Sequence, residues 1–194
     1  MKIYLIGFMG SGKTSIGKRL AKRLGYNFLD LDTLIEVKSK QKIPGIFREQ
    51  GEDGFRKIER KALEDTFQLE DIVIATGGGT PCFFDNIDQI NKHGLSFYLN
   101  RSMHFLVNKL FYSSTERPLV KGKSKNELDE YVGKLLAKRD SFYKKASFTI
   151  TPPDGFSKKD IAKMIRKFIH LMRYIKISGM ESAGYLNKQH NHIA

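Results

Sequence analysis

A single cysteine, Cys82, stands among 194 residues, which excludes an internal disulfide and fits a reducing, cytoplasmic compartment. No apolar run approaches the ~18 residues that a membrane-crossing helix needs. The opening MKIYLIGFM briefly imitates a secretory leader, but GSGKT interrupts it and no small-residue cleavage site follows. The five histidines show no metal-ligand spacing apart from His190 and His192, which belong to a polar terminal stretch. Helix-turn-helix, zinc and RNP-type signatures are all lacking, so the net charge of +13 has no nucleic-acid motif to accompany it. Lysine and arginine are spread through KRLAKR, KSKQK, KIERK, KGKSK and KKDIAK, as on a solvated surface with some positions recruited for anionic ligands. Neither nucleic acid nor membrane is therefore expected as a partner.

What is present is a series of strand-then-helix units. KIYLI (2–6), YNFLD (26–30), DIVIA (71–75), LSFYL (95–99) and FTIT (148–151) are short β-rich runs suited to strands covered on both faces. Helical sequence follows each of the first four. It runs over 14–24, closed by Gly25, then from the second strand towards Lys42. A short helix opens at Pro44, and further ones cover 52–65, 85–92, 103–111 and 125–145. KKDIAKMIRKFIHLMRYIK (158–176) closes the domain, with Ile161, Met164, Ile165, Phe168, Ile169 and Met172 as a core-facing stripe. The alternation implies an α/β fold, a parallel sheet between helical layers, with ligands at the carboxyl ends of the strands. The domain spans 1–176, and 177–194 lacks periodicity and reads as a disordered tail.

Gly7, Gly12, Lys13 and Thr14 complete G-x-x-x-x-G-K-[ST] between a strand and a helix. In such a loop the backbone N–H groups turn inward as an anion nest at the positive end of a helix. Gly10, Ser11, Gly12, Lys13, Thr14 and Ser15 are therefore expected to hold the phosphates of ATP, with the Thr14 hydroxyl on Mg²⁺. The acceptor has to be read elsewhere. Guanine readers need N-K-x-D, and none is present. A motor ATPase usually closes its third strand with an acidic residue, whereas DIVIA runs into Thr76-Gly77-Gly78-Gly79, where something must approach the backbone closely.

The second strand ends in Asp30-Leu31-Asp32, and period 2 points both carboxylates the same way beside the phosphate loop. One can hold Mg²⁺ through water, the other can accept a hydroxyl proton, and one of the two can serve as a helix N-cap. Arg56 and Glu59 stand at i,i+3, so the carboxylate can orient the guanidinium. Arg117-Pro118-Leu119 lies in a polar stretch, 112–125, that suits a mobile lid.

The order GFMGSGKTSIG, D-L-D, FREQGEDGFRKIE, VIATGGGTP, ERPLV and Arg139-x-x-x-Tyr143-x-x-Ala146 resembles the shikimate kinase family over about residues 1–170. The resemblance implies a P-loop fold of the nucleoside-monophosphate-kinase type, three-layered around a five-stranded parallel sheet. It implies transfer of phosphate from ATP to shikimate by a monomeric kinase, with Lys13, Asp32 and Arg117 as catalytic residues. Asp30 and Thr14 would serve the metal, and Asp32 the ring hydroxyls. Arg56 and Arg139 would bind the carboxylate, Gly78 and Gly79 would offer N–H groups to the substrate, and Arg117 would also touch ATP. One departure is Asn108-Lys109-Leu110 where many members carry an arginine near adenine, because lysine stacks less well. The alternatives are another small-metabolite kinase of the gluconate kinase kind, which would not share this set of positions, and a non-catalytic nucleotide-binding module, which would be expected to lose Lys13, Asp32 or Arg117.

Overall fold

Each expected apolar run forms a strand, and the order in which they pair decides where the ligand edge lies. The computed structural model describes residues 1–113, 122–152, 157–177 and 192–193. Strands β1 (Lys2–Ile6), β2 (Asn27–Asp30), β3 (Ile72–Ala75), β4 (Leu95–Leu99) and β5 (Phe148–Ile150) pair in parallel in the order β2-β3-β1-β4-β5. A two-residue strand, β6 (His192–Ile193), extends this sheet beside β5. It and Ile177 are the described part of the expected tail; the rest of 177–194 lies outside the described residues. The chain leaves β1 to build β2 and β3 on one side, then crosses to β4 and β5 on the other. That reversal opens a crevice at the carboxyl ends of the central strands.

The pleat of β1 divides the core in two. Ile3 and Leu5 face a layer made by α1 (Lys13–Leu24) and α7 (Lys158–Ile177), joined by Val73, Phe97, Leu99 and Ile150. Tyr4 and Ile6 face the opposite layer of α2 (Leu31–Ser39), α3 (Ile43–Asp65), α4 (Asn86–His93), α5 (Met103–Phe111) and α6 (Lys125–Tyr143). On α7, Ile161, Ile165 and Ile169 are buried as the stripe requires, and Met164 packs against them; the Phe168 and Met172 side chains lie outside the described set. No described helix is long and apolar enough to cross a membrane.

Two local details position the site. Helix α2 stops at Ser39, short of the expected Lys42, because Lys40 turns left-handed at φ 51°. Lys42 and the Ile43 N–H then bond back to Glu36. Within α3, Gly51 takes φ 68° and ψ −172°, a conformation essentially reserved for glycine. This break separates the helix opened at Pro44 from the one carrying Arg56 and Glu59.

Nothing lies within 4 Å of a Cβ built on Gly51, so substitution there acts through backbone strain alone. Gly51→Ala is expected to cost about 1–3 kcal/mol, read as a lower urea midpoint with an unchanged slope. An unshifted midpoint would show that the break relaxes without strain.

Candidate active site

The carboxyl ends of β2, β3 and β1 are neighbours, so the turns following them meet at one edge of the sheet. After β1, Gly10 and Gly12 adopt positive φ (84° and 98°), and Gly12 becomes the left-handed N-cap of α1. Lys13 is the first residue of α1, and its Nζ donates to the carbonyls of Gly7 (2.8 Å) and Phe8 (3.0 Å). The ammonium is thus held across the loop, where it faces the same space as the helix N-terminus. Ser11 is fully buried beneath the loop, and Ser15 passes its carbonyl to Arg19. Gly10 abuts α5: a Cβ there would lie 3.5 Å from Leu110 and 3.7 Å from the Lys109 stem.

The Thr14 hydroxyl donates to Asp30 Oδ2 at 2.7 Å, while Asp30 Oδ1 accepts the Asp32 N–H at 3.1 Å. Asp30 is therefore the N-cap of α2 and a partner of the phosphate loop together. Asp32 sits in the first turn of α2 rather than at the end of a strand. Strand alternation is thus not what brings the two carboxylates together; the strand-to-helix turn does that. A hydroxyl beside carboxylate oxygens is a donor set that suits Mg²⁺. Among the described residues, no group of three or more His, Cys, Asp or Glu could hold a metal by itself.

Asp32 meets solvent at the mouth of the crevice, yet protein crowds its carboxyl. Burial is the main cause that pushes its pKa up to about 6, followed by the Asp30 charge. Lys13 pulls the other way, and Glu59 and Glu36 add to the rise. Glu59 is 1% exposed and central to the other half of the site. Its Oε2 accepts from Arg56 Nη1 at 2.8 Å, and its Oε1 accepts the Thr80 hydroxyl at 2.6 Å. Arg56 is also buried, bonded to Glu52 at 2.8 Å and stacked 3.9 Å from the Phe83 ring centroid.

The three glycines after β3 pass through this cluster. A Cβ on Gly79 would come within 2.8 Å of both terminal nitrogens of Arg56. On Gly77 it would lie 2.8 Å from Glu59 Oε1 and 3.0 Å from Asp32 Oδ1, and on Gly78 3.2 Å from the Met9 nitrogen. Only glycine lets this backbone run between the phosphate loop and the arginine. Thr80 is held a second time, its carbonyl accepting from Asn86, which Arg60 grips in turn. From α6, Arg139 completes the ring: a Cβ on Gly78 would lie 3.6 Å from its Nη1.

Lys13, Thr14, Asp30, Asp32, Arg56, Gly78, Gly79 and Arg139 are therefore brought together at one edge. Arg117 and residues 114–121 of the expected lid lie outside the described residues. The last part of that stretch instead starts α6, where Ser124 and Glu127 form a capping box. The sequence does not mark Gly77, Thr80 or Tyr143 (whose hydroxyl reaches the Gly78 carbonyl) as part of the site, and marks Glu59 only as an orienting neighbour of Arg56. Tyr143 stands one turn beyond Arg139, which was the available signal. Cys82 is partly buried, and its thiol is pushed up to about 11, mainly by burial, so it behaves as the small apolar residue expected.

Removing the Glu59 carboxylate would leave a buried guanidinium with one partner fewer and Thr80 with none for its hydroxyl. Glu59→Ala is expected to cost about 3–5 kcal/mol, measurable by denaturant unfolding. A loss below ~1 kcal/mol would mean that the pair behaves like an exposed one.

Comparisons with known proteins place the chain and its fold. The shikimate kinase family model matches residues 9–170. A shikimate kinase of Parabacteroides distasonis is 42% identical over 160 residues, which is 82% of this chain and 92% of that protein. Among solved structures, a shikimate kinase from Bacteroides thetaiotaomicron superposes with a TM-score of 0.83 at 34% identity, covering 88% of this chain and 98% of its own. One from Acinetobacter baumannii, in complex with shikimate, gives 0.80 at 34% identity over 89% and 94%. By the span of the family model and the identity to its members, this chain belongs to the shikimate kinase family.

Proposed function

We propose that this chain transfers the γ-phosphoryl group of ATP to the 3-hydroxyl of shikimate, giving ADP and shikimate 3-phosphate. The observation that carries this reading is the position of Asp32. It lies between the Lys13 loop on one side and the Glu59–Arg56 cluster on the other, with its pKa raised towards neutrality. A phosphate cradle, a tuned carboxylate and arginines for an acidic ligand are what a kinase of a carboxylated polyol requires.

In this division of labour the backbone of residues 10–15 and the Lys13 ammonium grip the ATP phosphates. Thr14 and Asp30 would hold Mg²⁺, whose charge would offset that of the phosphates. Arg56 and Arg139 bind the shikimate carboxylate, while Gly78 and Gly79 present N–H groups to the ring. Asp32 accepts a hydrogen bond from the attacking hydroxyl and takes its proton as the new P–O bond forms. Arg117 acts as the lid arginine on the transferring phosphate, a role supported by its place in ERPLV. The reading includes a monomeric, cytoplasmic enzyme; the single cysteine fits a reducing compartment.

The test is ADP release with Mg-ATP and shikimate, with gluconate, and with no acceptor. Turnover should require shikimate, and Asp32→Asn should lower kcat on the order of 10²–10⁴-fold; ADP release indifferent to the acceptor would overturn the assignment. The pH profile provides a second check. A base must be ionised, so kcat/KM for shikimate should fall as pH drops below about 6. The stability effect has the opposite sense. A carboxyl raised from 3.8 to about 6 binds its proton more tightly when folded, so it lowers stability as pH rises through that window. Asp32→Asn should therefore melt higher than wild type above pH 6, and an Asn variant that melts lower there would contradict the raised pKa.

A further inference from the structure

Tyr143 takes no part in the chemistry above, yet it is fully buried at the junction of two substrate-binding elements. Its hydroxyl donates to the Gly78 carbonyl at 2.5 Å and lies within the field of the Arg139 charge. The ring is tilted against Tyr98, with centroids 5.0 Å apart, so packing fixes its direction. The residue also stands one turn from Arg139 on α6, so both side chains leave the same helical face.

The consequence follows from peptide geometry. The Gly78 carbonyl and the Gly79 N–H belong to one planar unit, and no described peptide bond is cis. In a trans peptide the two groups point in opposite directions. A hydroxyl that holds the carbonyl on the α6 side therefore aims the N–H away from α6. Glycine is the residue least able to hold such an orientation by itself, because two flanking glycines leave the peptide free to rotate. Arg56 lies beside Gly79, its terminal nitrogens 2.8 Å from where a Cβ would be.

We propose that Tyr143 is a positioning residue for the acceptor: it locks the Gly78–Gly79 peptide beside the Arg139 guanidinium, so that N–H and guanidinium reach the bound shikimate together. This rests on the shikimate reading of Gly79 and Arg139 given above. The hydroxyl is suited to the role because burial raises its pKa, which keeps it protonated, and a donor, across the working pH range.

The test is Tyr143→Phe, which keeps the ring and its packing but removes the hydrogen bond to the Gly78 carbonyl. Wild type is assayed first, and failure to turn over shikimate there would defeat the underlying reading rather than this one. With wild type active, the variant should show a KM for shikimate raised on the order of tenfold, with the KM for ATP unchanged. Partial unfolding lowers the amount of active enzyme and hence kcat, but leaves both KM values alone, so the ratio isolates positioning. An unchanged shikimate KM, or equal changes in both, would overturn the proposal. If the variant does not fold, the wild-type protein still decides. Its Gly79 amide should give one sharp NMR resonance without substrate and shift when shikimate alone is added. Multiple or exchange-broadened Gly79 signals before shikimate is added would mean that the peptide is not locked.

Discussion

The Glu59 carboxylate is the constraint on which the site depends. It is nearly inaccessible to water, and a charge so placed persists only with partners of good geometry. Arg56 and the Thr80 hydroxyl are those partners, and each fixes something beyond itself. Arg56 is pinned against Phe83 and beside the Gly79 backbone, while Thr80 anchors the exit of the glycine run. The same negative charge also contributes to the raised pKa of Asp32. One buried group thereby shapes an ion pair, a loop and an acid–base residue.

Around it, the sheet acts as the ruler. Strand order β2-β3-β1 places the paired aspartates, the glycine run and the phosphate loop side by side, so no long connection is needed to assemble them. Charge then varies across a short distance. Lys13 and the α1 N-terminus form the anion end, Asp30 and Asp32 the centre, and Arg56 with Arg139 the far end. Two anionic ligands can thus be held by their charged ends at opposite sides of this space, which leaves their other ends free to meet beside the aspartates.

Much of this was legible in the residues. The P-loop pattern needs only local geometry, and the structure bears out strand, turn and helix at those positions. The five apolar runs were readable because strands covered on both faces carry no polar alternation to confuse them. Arg56 and Glu59 could be paired by helical spacing alone. Other features depend on contacts between distant segments. Nothing local to Thr80 announces that its hydroxyl meets Glu59, 21 positions earlier, and nothing near Gly78 points to Tyr143, 65 positions later. The Asp30–Asp32 pair was found for the wrong reason, since extended alternation and the first turn of a helix can both bring residues i and i+2 towards one site. The early end of α2 was hidden because lysine rarely adopts the left-handed conformation that Lys40 takes.

The most direct measurement is ³¹P NMR of the product formed by the wild-type protein from Mg-ATP and shikimate. The account predicts a new phosphomonoester signal coupled to the ring proton at carbon 3, growing in step with ADP. Inorganic phosphate as the only new signal besides those of ADP, or a phosphomonoester on a different ring carbon, would contradict it.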